Sequence, residues 1–83
     1  MQWKVKISIK LKSGVLDAQG KATHKALLAI GFQKVQEVRI GKLIELKLEG
    51  DSRTEVEKQI QEMCQKLLAN PVIEDFVYEI GEL

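Results

Sequence analysis

Apolar and polar residues alternate strictly at the start of the chain. Trp3, Val5, Ile7, Ile9 and Leu11 are separated by Lys4, Lys6, Ser8 and Lys10, and Lys12 follows. A repeat of two describes a strand with one dry face and one wet, cationic face. After Ser13-Gly14 the period lengthens. Thr23, Ala26, Leu27 and Ile30 fall at i, i+3, i+4 and i+7, one face of a helix with Asp17 as its N-cap and Gly31 in the left-handed position past its end. Gly20 lies early in that helix and weakens it, which points to a close backbone approach. Alternation returns after Phe32. Val38 and Ile40 stand between Glu37 and Arg39, and Ile44, Leu46 and Leu48 between Glu45, Lys47 and Glu49. These two stretches predict a hairpin turning near Gly41-Lys42, or long strands continuing through a bulge there. Ser52 and Glu55 have capping-box spacing ahead of a second helix, whose apolar stripe is Val56, Ile60, Met63, Cys64 and Leu67. Asn70-Pro71 stops it, and Phe76, Tyr78 and Ile80 mark a last strand.

The order strand–helix–strand–strand–helix–strand predicts an α+β fold of the ferredoxin-like, split β-α-β type (β-α-β-β-α-β). It has an antiparallel sheet and both helices on one face. The first and third strands then lie side by side in the middle, which brings Lys4, Lys6, Lys10 and Lys12 near Glu45 and Glu49. The lysine stripe is neutralised across the sheet rather than held open for phosphate. Residues 1–83 read as one domain, too short to bury a large core, so an oligomer is expected, a dimer or a dimer of dimers.

Composition narrows the partners. Hydrophobic residues make up 45% of the chain and charged residues 30%, as in a folded soluble protein, and the formal charge is only +1. Nucleic acid and anionic membranes select a clear cationic excess, so neither is expected as a partner. No apolar run approaches the roughly 20 residues of a membrane span, and the start of the chain has no signal-peptide core. Cys64 is the only cysteine, which excludes an internal disulfide and a thiolate metal site within one chain and fits a reduced, cytoplasmic compartment.

The chemistry-bearing residues do not assemble into a catalytic set. His24 is the only histidine and is expected on the solvent side of its helix, with no orienting partner. Cys64 lies on an apolar stripe, as a small buried hydrophobe does. Glu74 and Asp75 are neighbours on a strand and point to opposite faces. Gly14 and Gly20 lack the Gly-Lys-Ser/Thr ending of a phosphate loop. The sheet topology hosts several functions, but their signatures are missing. Trp3 is the only aromatic on the two central strands, too few to stack single-stranded RNA. The first loop, Ser13 to Leu16, has neither the two cysteines of a copper carrier nor the phosphate-holding arginine of an acylphosphatase. No catalytic, cofactor-binding or metal-ligating residue is expected, and a module that binds other proteins is.

Three segments carry a resemblance. Gly14-Val15-Leu16-Asp17-Ala18-Gln19-Gly20, Val38-Arg39-Ile40-Gly41-Lys42 and Leu67-Leu68-Ala69-Asn70-Pro71-Val72-Ile73-Glu74-Asp75-Phe76 resemble the PurS family, across essentially the whole chain. That family is the small subunit of phosphoribosylformylglycinamidine (FGAM) synthase. One departure is Ala18, where the family's Leu-Asp-Pro-Gln-Gly has proline, a residue suited to the first helical position. The resemblance implies a non-catalytic subunit in purine biosynthesis, usually a dimer. It bridges a PurL-type synthetase subunit, which uses ATP and Mg2+, and a PurQ-type glutaminase, and supports ammonia transfer between them. It also implies partner contacts at Gly14, Val15, Leu16, Asp17 and Gly20, at Arg39, Gly41 and Lys42, and at Asn70 and Pro71. The alternative is a regulatory domain that senses a small molecule at a dimer interface, of the amino-acid-binding kind.

Overall fold

The computed structural model describes residues 1–83. Its elements run β1 (Gln2–Leu11), α1 (Ala18–Ala29), β2 (Gly41–Glu49), α2 (Arg53–Met63), a π-helical turn (Cys64–Leu68) and β3 (Glu74–Glu82). The three strands form one antiparallel sheet in the order β2-β1-β3. The alternation of β1 does what its period requires. Trp3, Val5, Ile7 and Ile9 are buried, while Lys4, Lys6 and Lys10 face water. Helix α2 covers that dry face with Val56 and Ile60 and the π turn with Cys64, and Ala69 and Ile80 complete the core. At one end of it the Trp3 indole donates to the Gly50 carbonyl at 2.9 Å, a buried bond that ties β1 to the turn before α2. Ser52 caps α2 through its hydroxyl, which accepts from Glu55 N–H at 3.2 Å. Glu55 reaches back to the Asp51 N–H at 3.1 Å, one residue beyond the N-cap amide that a standard capping box would use.

The α+β class, the antiparallel sheet and the two helices are as expected, and the third predicted strand does lie beside the first. Two expectations need correction. The sheet has three strands, because residues 35–40 do not join it, and no hairpin turns at Gly41, which is instead the first residue of β2. The alternation of Val38 and Ile40 falls in a segment without regular structure, whose polar groups are committed to α1, as described below. The order is that of a ferredoxin-like sheet lacking its outermost strand. The second correction concerns α1, which does not share the face occupied by α2. Gly20 is its only buried residue, and the stripe of Thr23, Ala26 and Ile30 is exposed. The molecule measures 51 × 27 × 14 Å, with a radius of gyration of 16.3 Å. A compact domain of this length has a radius of about 12 Å, so α1 projects from the sheet as an arm.

A smaller correction falls at the end of α2. The expected stripe continued through Leu67, which is 83% exposed. The π turn places an extra residue in the last helical turn, so the stripe shifts by one and Leu68 packs on the core in its place.

Charge pairing across the sheet follows the register. Lys6 lies between Glu45 and Glu79, and Lys10 faces Asp75, but Lys4 is opposite Lys47. Neutralisation of the lysine stripe is therefore uneven. Its one ion pair is at the end of β1, where Lys12 Nζ meets Asp75 Oδ1 at 2.6 Å.

Candidate functional site

The three segments singled out from the sequence meet at one end of the sheet. β1 finishes there, β2 and β3 start there, and the loop into α1 leaves from there. Asp17 is the junction. As N-cap of α1 it accepts from the Gly20 N–H at 2.9 Å through Oδ1, and its second oxygen accepts from the Ile40 N–H at 2.8 Å. These two backbone donors, Ile40 first and Gly20 second, with the Arg39 guanidinium nearby, hold the Asp17 carboxyl below its ordinary value of 3.8.

Residues 35–40 lie along α1 in the opposite direction to it, forming a strap. His24 Nε2 meets the Val35 carbonyl at 2.7 Å. At Gly20 the strap comes so close that an added Cβ would collide with the Val38 carbonyl and the Asp17 carboxylate. The sequence signal of a weak helix position at Gly20 thus has its cause in the strap. His24 is half-buried at a carbonyl rather than free in solvent, which corrects its expected position. Its use could have been inferred only from the partner carbonyl, eleven residues away.

Arg39 is exposed and donates to the Leu11 carbonyl at the end of β1. Gly41 begins β2 against β1, where a Cβ would collide with the Ile9 carbonyl. Lys42 approaches Glu74 at 3.8 Å, and Glu74 accepts the Asn70 N–H at 2.7 Å. Asn70 closes its own turn by accepting from Val72 N–H at 3.1 Å, and Pro71 sits exposed on it. Gly14, Val15 and Asp17 line a polar cleft of about 320 Å³, together with Lys12, Lys21, His24, Glu37 and Arg39. Leu16 beside it is 66% exposed. All ten predicted positions therefore lie in one neighbourhood. The sequence reading missed Glu74, which links Lys42 to Asn70, and the His24–Val35 contact.

Cys64 is fully buried in the core, and burial pushes its thiol above the ordinary range. No group of three or more His, Cys, Asp or Glu side chains is arranged to hold a metal ion, and no helix is long and apolar enough to cross a membrane.

The PurS family model, described as phosphoribosylformylglycinamidine (FGAM) synthase, matches residues 4–82. The chain belongs to the PurS family. The FGAM synthase subunit PurS of Bacillus subtilis is 48% identical over 81 residues, spanning 98% of this chain and 95% of that one. A crystal structure of B. subtilis PurS superimposes with a TM-score of 0.87 at 49% identity, covering 96% of this chain and 99% of that chain. A chain of the PurLQS structure from Thermotoga maritima gives 0.85 at 30% identity, covering 100% and 99%. The chain is thus a subunit of FGAM synthase, an enzyme of purine biosynthesis. The three-strand, two-helix order described above is the PurS arrangement.

Proposed function

We propose that this chain is the small, non-catalytic subunit of the synthase, and that as one domain it bridges a PurL-type synthetase subunit and a PurQ-type glutaminase. The T. maritima PurLQS structure, in which a PurS chain of the same fold occurs, supports this reading. The observation that carries it is the convergence of the Gly14–Gly20 loop, the Arg39–Lys42 segment and the Asn70–Pro71 turn at one end of the sheet. Three sequence-distant segments come together there, with Leu16 and Pro71 exposed. In this role ATP and Mg2+ are used on the synthetase subunit, and the whole complex works in the cytoplasm. Ammonia released by the glutaminase is protonated and lost if it meets bulk water at neutral pH. A subunit that closes the joint keeps it dry. Binding that is tighter in the closed arrangement of the two larger subunits also favours that arrangement.

Self-association belongs to the same proposal. The dry-face residues of β2 (Ile44, Leu46 and Leu48) are only half-buried, and α1, which would cover them in a ferredoxin-like domain, stands away. A second copy fits this vacancy, since each copy offers both an uncovered sheet flank and an unpartnered helix.

The test is reconstitution. Mixing this chain with the two larger subunits, nucleotide and glutamine should give a three-component complex with glutamine-dependent ligase activity, while the chain alone turns over nothing. Arg39→Ala should weaken titration onto the partners by about tenfold, the loss of a charge-assisted contact of about 1.4 kcal/mol. Unchanged affinity would remove Arg39 from the contact surface. Ligase activity indifferent to this chain would overturn the bridging role.

A further inference from the structure

Helix α2 covers the dry side of the sheet, and the second copy placed against α1 and the flank of β2 lies on that same side. The wet side is left open, and its charges do not balance. Register sets four rows across it. Lys4 stands opposite Lys47, with Gly81 on its other side. Glycine supplies no counter-charge, and nothing lies within 4 Å of the place its Cβ would take. In the next row Lys6 lies between Glu45 and Glu79. Ser8 then lies between Leu43 and Val77, which are 60% and 68% exposed. Lys10 faces Asp75, but Lys12 takes that carboxylate at 2.6 Å, and Arg39 borders the same hollow as Lys10 and Val77. None of Lys4, Lys6, Lys10 and Lys47 forms an ion pair within the chain.

Like charges directly opposite each other weaken a sheet, and a domain this small has little stability to lose. β2 carries glutamate at 45 and 49 on this face and a lysine between them, opposite another lysine. We propose that the wet face is a docking surface for an acidic segment of a larger subunit of the synthase. Carboxylates of that segment sit at Lys4 and Lys47 and at Lys10 and Arg39, and an apolar side chain between them rests on Leu43 and Val77. The two cationic rows are six residues apart along β1, about 20 Å. Arg39 joins this surface to the sheet-end site. The Glu45–Lys6–Glu79 row interrupts the cations, so the face repels a continuous polyanion such as nucleic acid and suits carboxylates at separate points. Docking relieves the Lys4–Lys47 repulsion, which persists in the free chain. The assignment rests on the bridging role proposed above and adds a face to it.

Lys4→Glu and Lys47→Glu, made singly, each turn the repulsion into an attraction. Each should leave the urea midpoint of the isolated chain level or higher, while titration onto one of the two larger subunits weakens at least tenfold and its salt dependence flattens. Lys58→Glu, exposed on α2 at the other side of the sheet, makes the same change in net charge and should bind as the unsubstituted chain does. Unchanged affinity of both sheet variants, with the unsubstituted chain binding, would overturn this assignment and leave the bridging role standing. An equal loss in Lys58→Glu would overturn it too, since net charge alone would then govern binding. So would a lowered midpoint in both sheet variants, or altered self-association by sedimentation equilibrium, which would give the face to another copy of the chain. An unsubstituted chain that binds neither subunit would overturn the bridging role and this surface together.

Discussion

At the scale of single residues, this protein uses its few special side chains as fasteners. Asp17 serves two backbone donors, His24 meets one carbonyl and Arg39 donates to another. Because the Asp17 carboxyl is held below 3.8 by the Ile40 and Gly20 donors, its contribution is full above the ordinary carboxylate range. It disappears as pH falls through the lowered value. The groups around it are Arg39, Lys12, Lys21, His24 and Glu37 on the cleft side, and Lys42 and Glu74 on the other. The protection of the Ile40 amide against hydrogen exchange should therefore stay level from neutral pH down to about 4 and fall only below that. In Asp17→Asn the same profile should be flat and lower throughout. A drop already complete at pH 6 would overturn the role of Asp17 in holding Ile40.

At the scale of elements, period and capping were legible and their use by neighbours was not. The alternation in Trp3–Leu11 predicted β1 and its buried face because a strand in the middle of a sheet can satisfy its pattern in only one way. Asp17 and Ser52 were legible as caps because both act within four residues of themselves. The stretch Val38–Ile40 was read as a strand and lies beside α1 instead, since period two does not say whether a sheet or a helix receives the chain. The clustering of the candidate site at one sheet end was legible only through the resemblance, as Glu74, its connecting residue, carries no pattern. The π turn was invisible because a one-residue shift needs a packed core to reveal it. That shift has a measurable signature. Ile60→Ala, at a fully buried position, should cost about 2–5 kcal/mol, seen as a large drop in the urea midpoint. Leu67→Ala should change that midpoint little in the isolated chain, although it is the same kind of deletion seven residues further on.

At the scale of the whole molecule, apolar surface left outside the core has to be accounted for by assembly. Ile30 is 71% exposed and Phe32 57% exposed, both at the arm's tip. Ile30→Glu with Phe32→Glu should leave the sheet and α2 intact and weaken self-association by at least tenfold, read by sedimentation equilibrium. Unchanged association would move the interface elsewhere, with the unpaired outer edges of β2 and β3 as the next place to look. The slab-like outline, 51 Å long and 14 Å thick, has a practical consequence of its own. A flat, elongated particle drags more solvent than a sphere of equal mass. On a sizing column calibrated with round proteins it leaves early and imitates a heavier species. Counting copies of this polypeptide by elution volume will overstate the number, and light scattering, which weighs particles regardless of shape, gives the stoichiometry.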